Sequence, residues 1–282
     1  MSAAYTVFQG RAGDHNNLAM PGAKAIGDAL ARRTDVQPTV IGNPEPCLNV
    51  GWREELDAAL PALKGIQARF DEVLSGGAIS IAATSRCAVA IATLPVVAKY
   101  HPSACVVWFD SHADLNTPEV TTTGYLGGLA LAAPVGLWDS GLGAGLGLDK
   151  IVLVGQRDLD PYEQDLIDRN RIPHIRPQGD FVSELRAAIA ARPVYVHLDC
   201  DVLNPGIVPT DYVHEGGLSL DDLRACCEVI AEHEFVGIEI AEFQNAWEPG
   251  GTPVSPQPLL DALEPLLSKE SADGAGSVSR NS

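Results

Sequence analysis

ACVVWFDSHADLN, residues 104–116, and PVYVHLDCDVLNP, residues 193–205, decide how this chain reads. Each opens on an almost unbroken apolar, β-branched and aromatic run, the pattern of a strand covered on both faces. Each then runs into acids, with Asp110, His112 and Asp114 at i, i+2, i+4 in one and Asp199 and Asp201 at i, i+2 in the other. Acids there contribute nothing to packing. On an extended chain, alternation turns each set to one side, and open parallel sheets bind ligands at the C-terminal ends of their strands. Carboxylates and an imidazole gathered there repel one another unless cations hold them. A donor set rich in oxygen with one nitrogen suits manganese or magnesium better than zinc or copper. A lone Asp after a strand is most simply a turn or a helix cap; D-x-H-x-D together with D-x-D in one chain outweighs that reading.

Working outward, further apolar runs begin at Tyr5, Ala78, Lys150 and Phe235, and helical patterns cover residues 18–33, 52–74, 161–170, 183–191 and 220–232. Ser219, followed by Asp221 and Asp222, reads as the N-cap of the last. Strands alternating with helices predict an α/β fold, three layers α/β/α around a mainly parallel sheet. No repeat or linker divides the chain, so residues 1–267 read as one catalytic domain. The polar Ser/Gly-rich tail, 268–282, reads as disordered. GLWDSGLGAGLGLDK (136–150) lacks the strand-before and helix-after context of a dinucleotide fingerprint and reads as a loop.

Composition excludes several classes. With 46% hydrophobic residues the chain of 282 can bury a core. A net charge of −18 repels phosphate backbones, which argues against nucleic acid as a partner. The N-terminus carries no signal-peptide pattern and no apolar run is long enough to span a bilayer. Scattered cysteines without a CxxC pair read as reduced thiols, so a cytoplasmic location is expected.

The motifs resemble those of the arginase (ureohydrolase) family. DSHADLN (110–116) is similar to D-A-H-x-D-x-N, HLDCDVLNP (197–205) to S-x-D-x-D-x-x-D-P, GQRDLDPYE (155–163) to G-x-R-D-x-D-x-x-E, and GIEIAEF (237–243) to the D-x-x-E strand. They occur in family order. The family also carries a ligand histidine in G-G-D-H-S, and two registers compete for it. LSGGAISIA keeps the glycines but puts Ile79 at the ligand position, 31 residues before Asp110; TSRCAVAIATLPVV puts Cys87 there, 23 before, which matches the family separation. The second register is preferred, although a free cysteine is more often a small buried hydrophobe.

What the resemblance implies is specific. A pair of manganese ions would be held, one by Cys87, Asp110, Asp114 and Asp199, the other by His112, Asp110, Asp199 and Asp201, with a hydroxide between them attacking a guanidino carbon. Asp114 would pass the proton to the leaving amine, and Glu242 would face the guanidinium. Asn116 and Thr123 match residues that hold an α-carboxylate; Asp160, with Glu163 behind it, matches those facing an α-ammonium. Three departures stand out. S-G-N-x-H-G reads T-G-Y-L-G-G, so Gly127 replaces the proton-shuttling histidine; Asn204 replaces the last Asp of its motif; and the threonine before G-G-L has no counterpart in TDYVHEGGL. His15, His174 and His214 are the candidates for the lost shuttle, and nothing selects among them. Thiolate for imidazole weakens Lewis acidity and favours a less basic substrate, such as an N-hydroxyguanidino amino acid. The alternatives are a conventional arginase or other amidine ureohydrolase, and an arginase-like binding or regulatory protein poor in metal. A monomer is expected rather than a trimer.

Overall fold

The structure, a computed structural model, describes residues 2–268; the rest of the polar tail lies outside the described residues. Eight strands form one sheet: β1 (Ala3–Phe8), β2 (Thr39–Ile41), β3 (Ile79–Thr84), β4 (Cys105–Phe109), β5 (Ile151–Val154), β6 (His174–Ile175), β7 (Val194–Asp199) and β8 (Phe235–Ala241). Their order is β2-β1-β3-β8-β7-β4-β5-β6, and every pairing is parallel. The apolar runs identify all the strands except β2 and β6, which sit at the two edges. Edge strands of three and two residues carry too little pattern to be read from sequence.

Alternation along the strands feeds two cores. Val107, Val196 and Ile240 point to one face, with Ile26, Leu185 and Leu223 from α1 (Ala19–Thr34), α5 (Phe181–Ile189) and α6 (Leu220–Ile230). Trp108, Tyr195 and Val236 point to the other, with Leu63, Ile91 and Leu166 from α2 (Trp52–Ser75), α3 (Ala90–Tyr100) and α4 (Pro161–Asn170). Two short helices, α7 (Gln257–Ala262) and α8 (Glu264–Leu267), complete the first face. This is the expected three-layer architecture. Ser219 caps α6 as read, in a reciprocal capping box with Asp222, and Asp160 and Glu163, read for another role, form a second at α4. Residues 136–150 are loop and turn apart from a last 3-10 turn. Gly22 lets α1 lie against the chain beyond β8, since a Cβ there would sit 1.8 Å from the Phe243 carbonyl oxygen.

Consecutive strands β3 and β4 are not neighbours; β8 and β7 lie between them. Open parallel sheets bind ligands above the carboxyl ends of their strands at such a break in strand order. No helix among the described residues is long and apolar enough to cross a membrane.

Candidate metal centre and active site

Register brings the acids together. Phe109 lies opposite Leu198, and Asp199 opposite Ala241, so the next residues beyond β4 and β8, Asp110 and Glu242, flank Asp199. The convergence is not the extended-chain alternation expected from sequence. Asp110 Oδ1 accepts the His112 backbone N–H at 2.7 Å, and Asp199 Oδ1 accepts that of Asp201 at 2.7 Å. Each motif therefore curls into an Asx turn, because a carboxylate two residues back offers the backbone a partner that the sheet no longer supplies. Asp114 and Glu242 adopt left-handed backbone conformations, with φ of 52° and 64°. Non-glycine residues pay about 1–2 kcal/mol for that, a strain of the kind found where side-chain placement matters more than comfort.

Cys87 joins this cluster and Ile79 does not. Ile79 opens β3, at the opposite end of that strand from the acids. Cys87 begins the 3-10 turn ahead of α3, fully buried, and its thiol donates to Asp199 Oδ2 at 3.0 Å. Behind the sulfur stands a chain of buried groups that sequence reading did not anticipate. His197 Nε2 is 3.1 Å from Cys87 Sγ, its Nδ1 is 2.8 Å from Glu239 Oε1, and Thr93 donates to Glu239 Oε2 at 2.6 Å. Trp108 stacks on the His197 ring at 3.5 Å and donates Nε1–H to Asp110 Oδ2 at 2.9 Å. His197 stands where the family motif has serine, and that departure was the available signal.

The donor atoms fall into overlapping groups: Cys87, Asp110 and Asp114; Cys87, Asp199 and Glu242; and Asp110, His112 and Asp201. His112 Nδ1 is 3.2 Å from both Asp110 Oδ1 and Asp201 Oδ2. Electrostatics say what such crowding needs. Burial and then neighbouring carboxylates push Asp110, Asp114 and Asp199 upward, and burial with Asp199 raises the Cys87 thiol. Burial works against a charged His112, but bonds to Asp110 and Asp201 outweigh it and hold its proton well above the usual range. Asp201 is the exception: His112 and Ser111 overcome its burial and lower it. A buried set of anionic donors that raise one another's pKa is stabilised by cations, and the mix of oxygen with one imidazole and one thiol fits divalent ions.

Beyond the cluster the pocket is lined by Asn116, Thr123, Asp160 and Glu163 and by Tyr125, Tyr212 and Glu242. Asn116 donates Nδ2 to Asp160 Oδ2 at 2.8 Å, leaving Oδ1 buried without a partner among the described residues. Both oxygens of Glu163 are taken, by the backbone N–H of Leu115 at 2.9 Å and of Asp160 at 3.0 Å, and burial lifts its pKa to about 7. Glu163 thus holds the loop that carries Asp160. Thr123 lies exposed at the pocket mouth.

Glu242 is already engaged. Its Oε1 accepts the Cys87 N–H at 2.9 Å and its Oε2 accepts Arg86 Nη1 at 2.7 Å. Arg86, fully buried, also bonds Asp14 Oδ1 at 2.9 Å and Asp211 Oδ2 at 3.0 Å. Arg86 stands one residue before Cys87, where the family motif has aspartate, a charge reversal that could have drawn attention to it. Of the shuttle candidates, His15 bonds Asp211 at 3.2 Å and lies against Tyr125; His214 is 3.5 Å from Asp158; His174 bonds the Gln156 carbonyl, on edge strand β6. Asn204 pairs in both directions with the Gly217 backbone and serves the loop.

Residues 14–254 match the model of the arginase family, and the chain belongs to that family. Over 266 residues it is 36% identical to the Nω-hydroxy-L-arginine amidinohydrolase of Streptomyces lavendulae, covering 94% of this chain and 97% of that relative. It is 28% identical over 261 residues to an arginase of Glaciozyma antarctica, covering 84% of this chain and 72% of that one. The fold matches the crystal structure of arginase from Bacillus subtilis with a TM-score of 0.79 at 21% identity, covering 95% of this chain and 98% of that one. Proclavaminate amidino hydrolase from Streptomyces clavuligerus matches with 0.70 at 19% identity, covering 95% and 92%.

Proposed function

We propose that this chain, acting as one catalytic domain in the cytoplasm, is a two-manganese amidinohydrolase that cleaves Nω-hydroxy-L-arginine to hydroxyurea and L-ornithine. The observation that carries the reading is the convergence of Cys87 with Asp110, His112, Asp114, Asp199 and Asp201 on one crevice, seen together with the similarity to the Streptomyces lavendulae enzyme. Cys87, Asp110, Asp114 and Asp199 would hold one ion, and His112, Asp110, Asp199 and Asp201 the other. Bound there, cations would supply a lowered pKa for water and would offset charge developing at the guanidino carbon.

The chain's own residues supply the rest. Asp114, buried beside Asp110 and raised in pKa, takes the proton released by the attacking water and delivers it to the departing amine. Asp160 meets the substrate α-ammonium. Asn116, read from resemblance as a carboxylate holder, spends its Nδ2 on Asp160, so its free Oδ1 also suits the ammonium, and the Thr123 hydroxyl is left for the α-carboxylate. Glu242 borders the guanidino end. Because Arg86 already pairs with Glu242, a strongly basic guanidinium gains less there, which suits a less basic hydroxyguanidine. On resemblance we assign the enzyme to antibiotic biosynthesis of the D-cycloserine type, where hydroxyurea would be the product it supplies. Parallel assays of L-arginine and Nω-hydroxy-L-arginine with manganese test the reading. Higher kcat/KM for the hydroxylated substrate is expected; faster turnover of L-arginine returns the chain to the conventional arginases.

A further inference from the structure

The Tyr125 hydroxyl is buried, borders the substrate pocket and hydrogen-bonds nothing among the described residues. Buried hydroxyls are rarely left so, and one facing a ligand cavity points to a partner that arrives with the ligand. Its position is fixed from two sides. The ring lies 4.3 Å from that of His15, and it fills the space above Gly127, where a Cβ would come within 2.4 Å of Tyr125 Cε1 and 2.9 Å of its hydroxyl oxygen. Tyr125 therefore takes room that a residue-127 side chain would need. The same His15 bonds Asp211, which Arg86 links to Glu242, and the Tyr212 ring lies 5.9 Å from that of Tyr125, so the phenol stands on the Glu242 side of the pocket.

At that end Glu242 is already engaged by donors of the chain itself. Glu242 has one oxygen on the Cys87 N–H and the other on Arg86, and Arg86 is itself fully buried. A substrate hydroxyl complements the orphaned phenol in both directions, since the phenol can donate to it or accept from it, whereas a guanidinium only donates. We propose that Tyr125 is a specificity-determining residue whose hydroxyl hydrogen-bonds the substrate's N-hydroxyl, selecting hydroxyguanidine over guanidinium. This rests on the functional reading above and names the residue that enforces it.

The test uses the manganese-loaded full chain and its Tyr125→Phe variant. Phenylalanine keeps the ring against His15 and over Gly127, so only the hydroxyl leaves. KM and kcat are measured for Nω-hydroxy-L-arginine, and inhibition constants for L-arginine and L-ornithine, neither of which carries the hydroxyl. The expected result is a fall of about tenfold in kcat/KM for the hydroxylated substrate, with both inhibition constants within about twofold of wild type. An equal loss for all three ligands assigns the residue a structural role and overturns the proposal, as does no loss at all. A wild type that prefers L-arginine as substrate overturns the functional reading, and this inference with it.

Discussion

Replacing Arg86 by methionine should be among the most destabilising single changes near the site. The guanidinium is fully buried and makes ion pairs at 2.9 Å to Asp14, 3.0 Å to Asp211 and 2.7 Å to Glu242. Methionine fills much of the volume, so the loss is electrostatic rather than a cavity. Asp211 is 17% exposed and water can replace its partner, but Asp14 is completely buried and stays tethered by the Ala12 N–H at 2.9 Å. The cost therefore falls on Asp14 and Glu242. Stranding a buried charge costs about 3–5 kcal/mol, out of a total stability of about 5–15 kcal/mol for a domain. Urea unfolding of the metal-stripped protein at neutral pH measures it without ligand linkage. Adding Asp14→Asn to Arg86→Met should recover about 1–2 kcal/mol, because the pair is coupled. A single variant within about 1 kcal/mol of wild type would refute this picture of a charge network that holds itself together in the interior.

Two further expectations follow from the same site. Restoring the family histidine with Gly127→His should destabilise by about 1–3 kcal/mol, since the new Cβ overlaps the Tyr125 ring, and adding Tyr125→Ala should relieve it; thermal melts of the two variants decide this. Glu163, raised from 4.5 to about 7 chiefly by burial, keeps its proton in the folded chain over a range where the unfolded chain has lost it. The folded state then binds more protons, so its stability should fall as pH rises from about 4.5 to 7, by up to about 3 kcal/mol. Glu163→Gln should flatten that slope in the metal-stripped protein, and an unchanged slope would locate the titration elsewhere.

Much of this site could be read from sequence because its chemistry is concentrated in short motifs at strand ends. Asp110, His112, Asp114, Asp199 and Asp201 interrupt apolar runs, and an acid where packing wants none is visible without coordinates. Cys87 needed the family spacing as well, since a cysteine alone looks like any small buried residue. What could not be read depends on long-range encounters. Arg86 meets Asp14, Asp211 and Glu242 across 72, 125 and 156 residues of chain, with no local periodicity to announce the pairing. His197 and Glu239 lie on adjacent strands and face each other by register, so each alone reads as an odd polar residue in a strand. The curling of the two aspartate motifs was missed for a different reason. Strand alternation is a rule for chains still in a ladder, and beyond Phe109 the Asp110 carboxylate competes successfully for the backbone N–H.

The central claim is that sulfur and carboxylates together hold a pair of divalent ions. Metal analysis of the purified chain after equilibration with manganese and removal of free metal tests it most directly, alongside Cys87→Ser. The account predicts about two ions per wild-type chain and a loss of close to one in the variant, since Cys87 belongs to one ion's ligand set. A wild type that retains less than one ion, or a serine variant that keeps both as tightly, would contradict it.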